Sequence, residues 1–229
     1  RIGDGLRPSE LSGSGGARVE QSSSREIGNL VSEFGLRPGV RTVELDAEHR
    51  VFFTELPQAL RMDDDGFREL WDLHPAEFHR IRMGGREVRT PRWQQAFGRD
   101  YVYTGNINRA RPIPSRLSPL VEYAQREFDP RINGLLVNWY DAAKGHYIGR
   151  HRDTRSQLMP GAPIVTMSFG AARTFRLRPW KGTSKIDTVL EDGTITILPY
   201  DTNLAFTHEV PLFAADEGTR VSVTLRAFR

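Results

Sequence analysis

Beyond Arg131 the chain alternates apolar and polar residues in short runs separated by turn residues, a period-two pattern that predicts strands. The runs are Gly134 to Tyr140, Ile164 to Phe169, Thr174 to Arg178, Asp187 to Leu190, Thr194 to Leu198, Asn203 to Thr207 and Arg220 to Arg226. Short strands in this number, with no helices between them, imply an antiparallel sandwich or jelly roll. Upstream the period changes. Gly66 to His74 carries Phe67, Leu70, Trp71 and Leu73 at helical spacing, and Ser118 to Phe128 presents Leu120, Val121, Ala124 and Phe128 behind Pro119, which suits a first helical turn. Val51-Phe52-Phe53 reads as one more strand. The predicted fold class is mainly β with flanking helices (α+β).

The same pattern divides the chain. Residues 1–28 are rich in Gly, Ser and Arg, including Ser12-Gly13-Ser14-Gly15-Gly16, and have too little apolar surface to repay ordering, so a flexible leader is expected there. Residues 29–229 are expected to form a single domain with its β core at 131–229. Within that domain, residues 79–116 stand apart: Arg80, Arg82, Arg86, Arg89, Arg92, Arg99, Arg109, Arg111 and Arg116 face only Glu87 and Asp100, with Trp93, Phe97, Tyr101 and Tyr103 interleaved. Cationic side chains mixed with aromatic faces suit an unpaired or flipped nucleobase on a phosphate backbone. An arginine-rich solvated hairpin with core aromatics would read the same way.

Composition narrows the chemistry. The 229 residues include no cysteine, which excludes disulfide scaffolds, thiolate metal sites and cysteine nucleophiles, so any metal must be held by His and carboxylate. No apolar run is long enough to cross a membrane as a helix, and a soluble, intracellular monomer is expected, cytoplasmic or, in a eukaryote, nuclear. The formal charge is +3, and 29 of the 32 basic residues are arginines. This skew fits phosphate contacts or a GC-rich genome equally well.

His151-Arg152-Asp153 places an imidazole and a carboxylate two residues apart, hence on one face of an extended segment. His208, after the apolar run Leu204-Ala205-Phe206, supplies a second imidazole. Two neutral imidazoles and a carboxylate with open positions make the facial triad of non-haem Fe(II) oxygenases, although zinc could also sit there. On Arg220-Val-Ser222-Val-Thr224-Leu-Arg226, alternation puts Val221, Val223 and Leu225 on one face and both arginines on the other. If the valines meet an outer layer, two permanent cations point inward and demand an anion such as a dicarboxylate. If the strand lies at an edge, the arginines are in water. Asn138 and Tyr140 share a face and offer an amide and a phenol to a carboxylate.

In this order and spacing, Asn138-x-Tyr140, His151-x-Asp153, His208 and Arg220-x-Ser222-x-Thr224-x-Arg226 resemble the AlkB-like family of Fe(II)/2-oxoglutarate dioxygenases. The stretch from Ile164 through Ser168, Gly170 and Arg173 to Arg176, and Thr90-Pro91-Arg92 with Tyr101 and Tyr103, are similar to the family's strand pair and nucleotide-recognition lid. The resemblance spans about residues 50 to 229. It implies a double-stranded β-helix (jelly roll) with an N-terminal lid, iron on His151, Asp153 and His208, and O₂ as co-substrate. Arg226 and Asn138 would hold the C1 end of 2-oxoglutarate, and Arg220 with Tyr140 its distal carboxylate. Tyr101, Tyr103 and the His151 ring would stack on a base while lid arginines such as Arg92 hold phosphates. The implied activity is oxidative demethylation of N-alkylated nucleobases in DNA or RNA, a repair reaction. The same chemistry on a protein side chain, lipid or metabolite, or a non-catalytic nucleic-acid-binding jelly roll, are the alternatives.

Two departures stand out. Where repair enzymes of the family often carry an acid two residues after the metal Asp, this chain has Arg155, a donor-only group that favours a carbonyl edge or a phosphate. The Asp141-Ala-Ala-Lys-Gly145-His146-Tyr147 segment also sets its glycine later than the common spacing.

Overall fold

The computed structural model describes residues 35–103 and 105–229, so the expected leader at 1–28 lies outside the described residues. The strands are β1 Arg41–Glu44, β2 Arg50–Glu55, β3 Arg80–Met83, β4 Arg86–Arg89, β5 Trp93–Phe97, β6 Tyr101–Tyr103, β7 Asn106–Asn108, β8 Gly134–Asp141, β9 Ile148–His151, β10 Ile164–Gly170, β11 Arg173–Pro179, β12 Ile186–Leu190, β13 Thr194–Leu198, β14 Phe206–Val210 and β15 Thr219–Arg226. The helices are α1 Asp64–Trp71, α2 Ser118–Glu127 and α3 Tyr200–Ala205.

Seven strands form one antiparallel sheet in the order β1-β2-β13-β10-β15-β8-β5, and four form a second in the order β12-β11-β14-β9. Alternation along the central strands separates two cores. Val165, Met167 and Phe169 of β10, Val221, Val223 and Leu225 of β15, and Val137 and Trp139 of β8 join one cluster with Leu70 of α1 and Leu120, Val121 and Ala124 of α2. Leu136, Ile164 and Leu198 on the other face of that sheet meet Phe175, Leu177 and Phe206 of the smaller sheet. The result is a mainly β fold with α1 and α2 on one outer face, consistent with a double-stranded β-helix. Among the described residues no helix is long and apolar enough to cross a membrane.

Local chemistry fixes the helices. Asp63 caps α1 by accepting from the Gly66 amide at 2.8 Å, and Leu70 O accepts from the Trp139 indole at 2.9 Å, tying the helix to β8. In α2, proline occupies the first turn, where no intrahelical donor is lost.

Three expectations need correction. Asn203 to Thr207 is not one strand: Tyr200 to Ala205 form α3, entered through Pro199, and β14 begins only at Phe206. Residues 79–116 are not all lid, because β5 pairs with β8 and is buried along its whole length as the edge of the large sheet, leaving β3–β4 and β6–β7 as separate two-stranded hairpins. Its glutamines survive burial through bonds, with Gln95 Nε2 donating to the Ala96 and Arg109 carbonyls. Nor is the core confined to 131–229, since β1, β2 and β5 complete the large sheet.

Gly170 ends β10 with φ +82°, and a Cβ there would stand 2.5 Å from Thr219 O and 2.7 Å from the Phe67 ring. Gly170→Ala is therefore expected to destabilise the protein by at least about 2 kcal/mol, read as a lower urea midpoint at unchanged slope. A midpoint unchanged from the parent protein would show that the backbone relaxes around this turn.

Candidate metal centre and adjoining cavity

Backbone register brings the imidazoles together. His151 ends β9 directly opposite His208 of β14, and their rings lie 4.3 Å apart between centroids. Asp153 follows the strand and is seated by Asn203: the Asp153 amide donates to Asn203 Oδ1 at 3.0 Å, and Asn203 Nδ2 donates back to Asp153 O at 3.2 Å. One donor atom from each of His151, Asp153 and His208 lies within 4.8 Å of the others. His151 Nδ1 lies 2.8 Å from Gly149 O, a pure acceptor, so Nδ1 carries the proton and Nε2 keeps its lone pair for a cation. His208 Nδ1 is buried without a hydrogen-bond partner.

The charge states suit a metal. Burial, and then neighbouring His151, push His208 down to about 3. Burial likewise lowers His151, only partly opposed by Asp153. Burial works against charge on Asp153, yet the Arg226 guanidinium and His208 hold its carboxyl well below the usual carboxylate range. Two neutral imidazoles and one ionised carboxylate converge, and the donor set fits ferrous iron.

Beside the triad lies a cavity of about 250 Å³, lined in part by Asn138, Tyr140, Arg220 and Arg226. β15 is central, between β10 and β8, so the edge-strand alternative is gone and both arginines point inward. Arg226 Nε donates to Asp153 Oδ2 at 2.7 Å. Arg220 is 1% exposed, and its Nη2 donates to Ser168 Oγ at 3.0 Å while Nε and Nη1 have no partner. Its guanidinium carbon stands 5.2 Å from the Tyr140 ring centroid. A buried guanidinium with two unmet donors is a cradle awaiting an anion.

The remaining expected residues are placed differently from one another. Tyr101 is buried, and its hydroxyl donates to Asp153 Oδ1 at 3.2 Å, so it sits at the triad itself; burial, then Asp153, raise its pKa. Tyr103 ends β6 opposite Asn106. Arg92, expected on phosphates, is only 7% exposed and lines the cavity, donating from Nε to Asn138 Oδ1 at 2.7 Å and from Nη2 to Gln94 Oε1 at 3.0 Å. Arg155 is exposed on a 3-10 turn, Arg155–Gln157, and does not line the cavity. Sequence reasoning missed Asn203, hidden in a segment read as strand, and Ser168, whose hydroxyl has no local signature.

The family model for the 2OG-Fe(II) oxygenase superfamily matches residues 62–226. DNA oxidative demethylase ALKBH2 of Homo sapiens is 26% identical over 201 residues, covering 82% of this chain and 75% of that protein. ALKBH2 of Mus musculus is 27% identical over 177 residues, covering 71% and 74%. The solved structure of OsALKBH1 superposes with a TM-score of 0.53 at 17% identity, over 81% of this chain and 99% of that one, a likeness of fold. A match across most of the length, ending at the second inward arginine and enclosing all three convergent ligands, makes this chain an enzyme of the AlkB-like 2OG-Fe(II) oxygenase superfamily.

Proposed function

We propose that the enzyme oxidatively demethylates N-alkylated nucleobases presented from a single-stranded or locally opened nucleic acid. The observation that carries this reading is the β3–β4 hairpin: Ile81 lines the cavity, and Arg80, Arg82, Arg86 and Arg89 are exposed on the same hairpin. Exposed cations on a hairpin that helps to wall a cavity suit the phosphates beside an extruded base. The demethylase activity carried in the names of the ALKBH2 relatives supports it.

With iron, 2-oxoglutarate and O₂ bound, the site gains an oxidant that hydroxylates a methyl C–H, after which the product releases formaldehyde. The protein's residues do the rest. His151, Asp153 and His208 hold the metal. Arg220 and Tyr140 grip the distal carboxylate of 2-oxoglutarate, and Arg226 and Asn138 its C1 end. Because Arg92 Nε takes the oxygen of the Asn138 amide, the Asn138 NH₂ is left to donate to that carboxylate. Tyr101 and the His151 ring bound the space where a base would lie, and the buried walls keep water from the reacting carbon.

The test is succinate release and mass spectrometry on methylated oligonucleotides, with loss of one CH₂ per site expected. Arg82→Ala/Arg86→Ala is expected to weaken oligonucleotide binding and to reduce the salt slope by about one unit for each phosphate no longer neutralised. Succinate release indifferent to every methylated oligonucleotide would reassign the chemistry to a protein side chain, lipid or metabolite.

A further inference from the structure

The cavity lining contains Arg92, Arg150, Arg220 and Arg226 and no Asp or Glu. Asp153, outside that lining, is already engaged by Arg226 and Tyr101. A ferrous ion offsets that carboxylate, and a 2-oxoglutarate dianion offsets Arg220 and Arg226. Arg92 and Arg150 remain. Arg150 donates to Thr207 Oγ1 and to the Pro179 and Trp180 carbonyls, all uncharged. The partners of Arg92 are the Asn138 and Gln94 amide oxygens, also uncharged, and its Nη1 makes no hydrogen bond among the described residues. Arg150 is exposed, where water screens its charge, so Arg92 is the cation that the filled site keeps in a poorly solvated space, where Coulomb interactions are strong.

Methylated bases fall into two electrical classes. Methylation at N1 of adenine or N3 of cytosine leaves a cation flanked by an exocyclic amine, a donor. Methylation at N3 of thymine or N1 of guanine leaves a neutral ring whose methyl is flanked by carbonyl oxygen, an acceptor. A cavity with an open guanidinium donor and no carboxylate in its lining repels the first class and complements the second.

Resting on the nucleic-acid reading above, we propose that this enzyme selects neutral, carbonyl-edged methylated bases over cationic ones, with Arg92 as the specificity-determining residue. The test is a competition among four oligonucleotides identical except for a single 1-methyladenine, 3-methylcytosine, 3-methylthymine or 1-methylguanine. Turnover is followed by mass spectrometry, and the affinity of the metal-free protein for each is followed by fluorescence anisotropy. The neutral pair is expected to exceed the cationic pair in kcat/KM by about 10-fold or more, with affinities in the same order. In Arg92→Gln, which can still donate to Asn138, the ratio is expected to fall below about threefold. Equal or faster turnover of the cationic pair, or an unchanged ratio in Arg92→Gln, overturns the proposal while leaving demethylation intact. Turnover of none of the four overturns the nucleic-acid reading and this proposal with it.

Discussion

His208→Ala is expected to abolish succinate formation and to weaken ferrous binding by more than about 100-fold, since even partners that merely orient a ligand are worth 10- to 100-fold in affinity. The fold should tolerate the change. His208 lies in β14 with a ring nitrogen that no protein group satisfies, so the side chain contributes packing against His151 and Phe175 but no hydrogen bond through Nδ1. Asp153→Ala is expected to be equally inactive yet destabilised in the metal-free state by about 3–5 kcal/mol, because it strands the buried Arg226 guanidinium. Metal titration and urea unfolding separate the two. Were His208→Ala to keep ferrous affinity within tenfold of the parent, the ligand set would have to be redrawn.

What can be seen in the residues, and what cannot, follows from how far each signal reaches. Alternation on Arg220 to Arg226 shows which side chains share a face, a property of one strand. Whether that face meets water depends on neighbours 50 to 80 residues away, with Gly170 and Tyr140 flanking Arg220 in register. The metal residues are legible as types and order, but the pairing of His208 with His151 is a fact of sheet register. α3 escapes sequence reading because a six-residue helix is too short to display a 3.6 period, and Leu204-Ala205-Phe206 reads equally well as a strand. Arg92 reads as a rim residue because arginine is rarely buried unpaired. Its burial rests on two amide oxygens, Asn138 on a neighbouring strand and Gln94 two residues along its own chain.

Arg220→Met is expected to move stability and co-substrate affinity in opposite directions. In the protein without 2-oxoglutarate, Arg220 holds its charge at 1% exposure with one hydroxyl partner and two unmet donors, and burial above all lowers its pKa. An unsatisfied buried donor costs about 1–3 kcal/mol, more when charged, and a methionine of similar reach has no such cost. The variant should therefore unfold at higher temperature, by roughly 2–4 °C per kcal/mol for a chain of this size. Its affinity for 2-oxoglutarate should fall by about 100-fold, the loss of charge-assisted bonds of about 1.5–3 kcal/mol each to the distal carboxylate. Calorimetric scans with and without 2-oxoglutarate read both effects. Saturating ligand adds about 2.7 kcal/mol at 100 times Kd, so the parent should rise in Tm on addition and the variant should not. An arginine whose role is only to brace β10 against β15 through Ser168 predicts the reverse: a lower Tm on substitution and an undiminished response to 2-oxoglutarate.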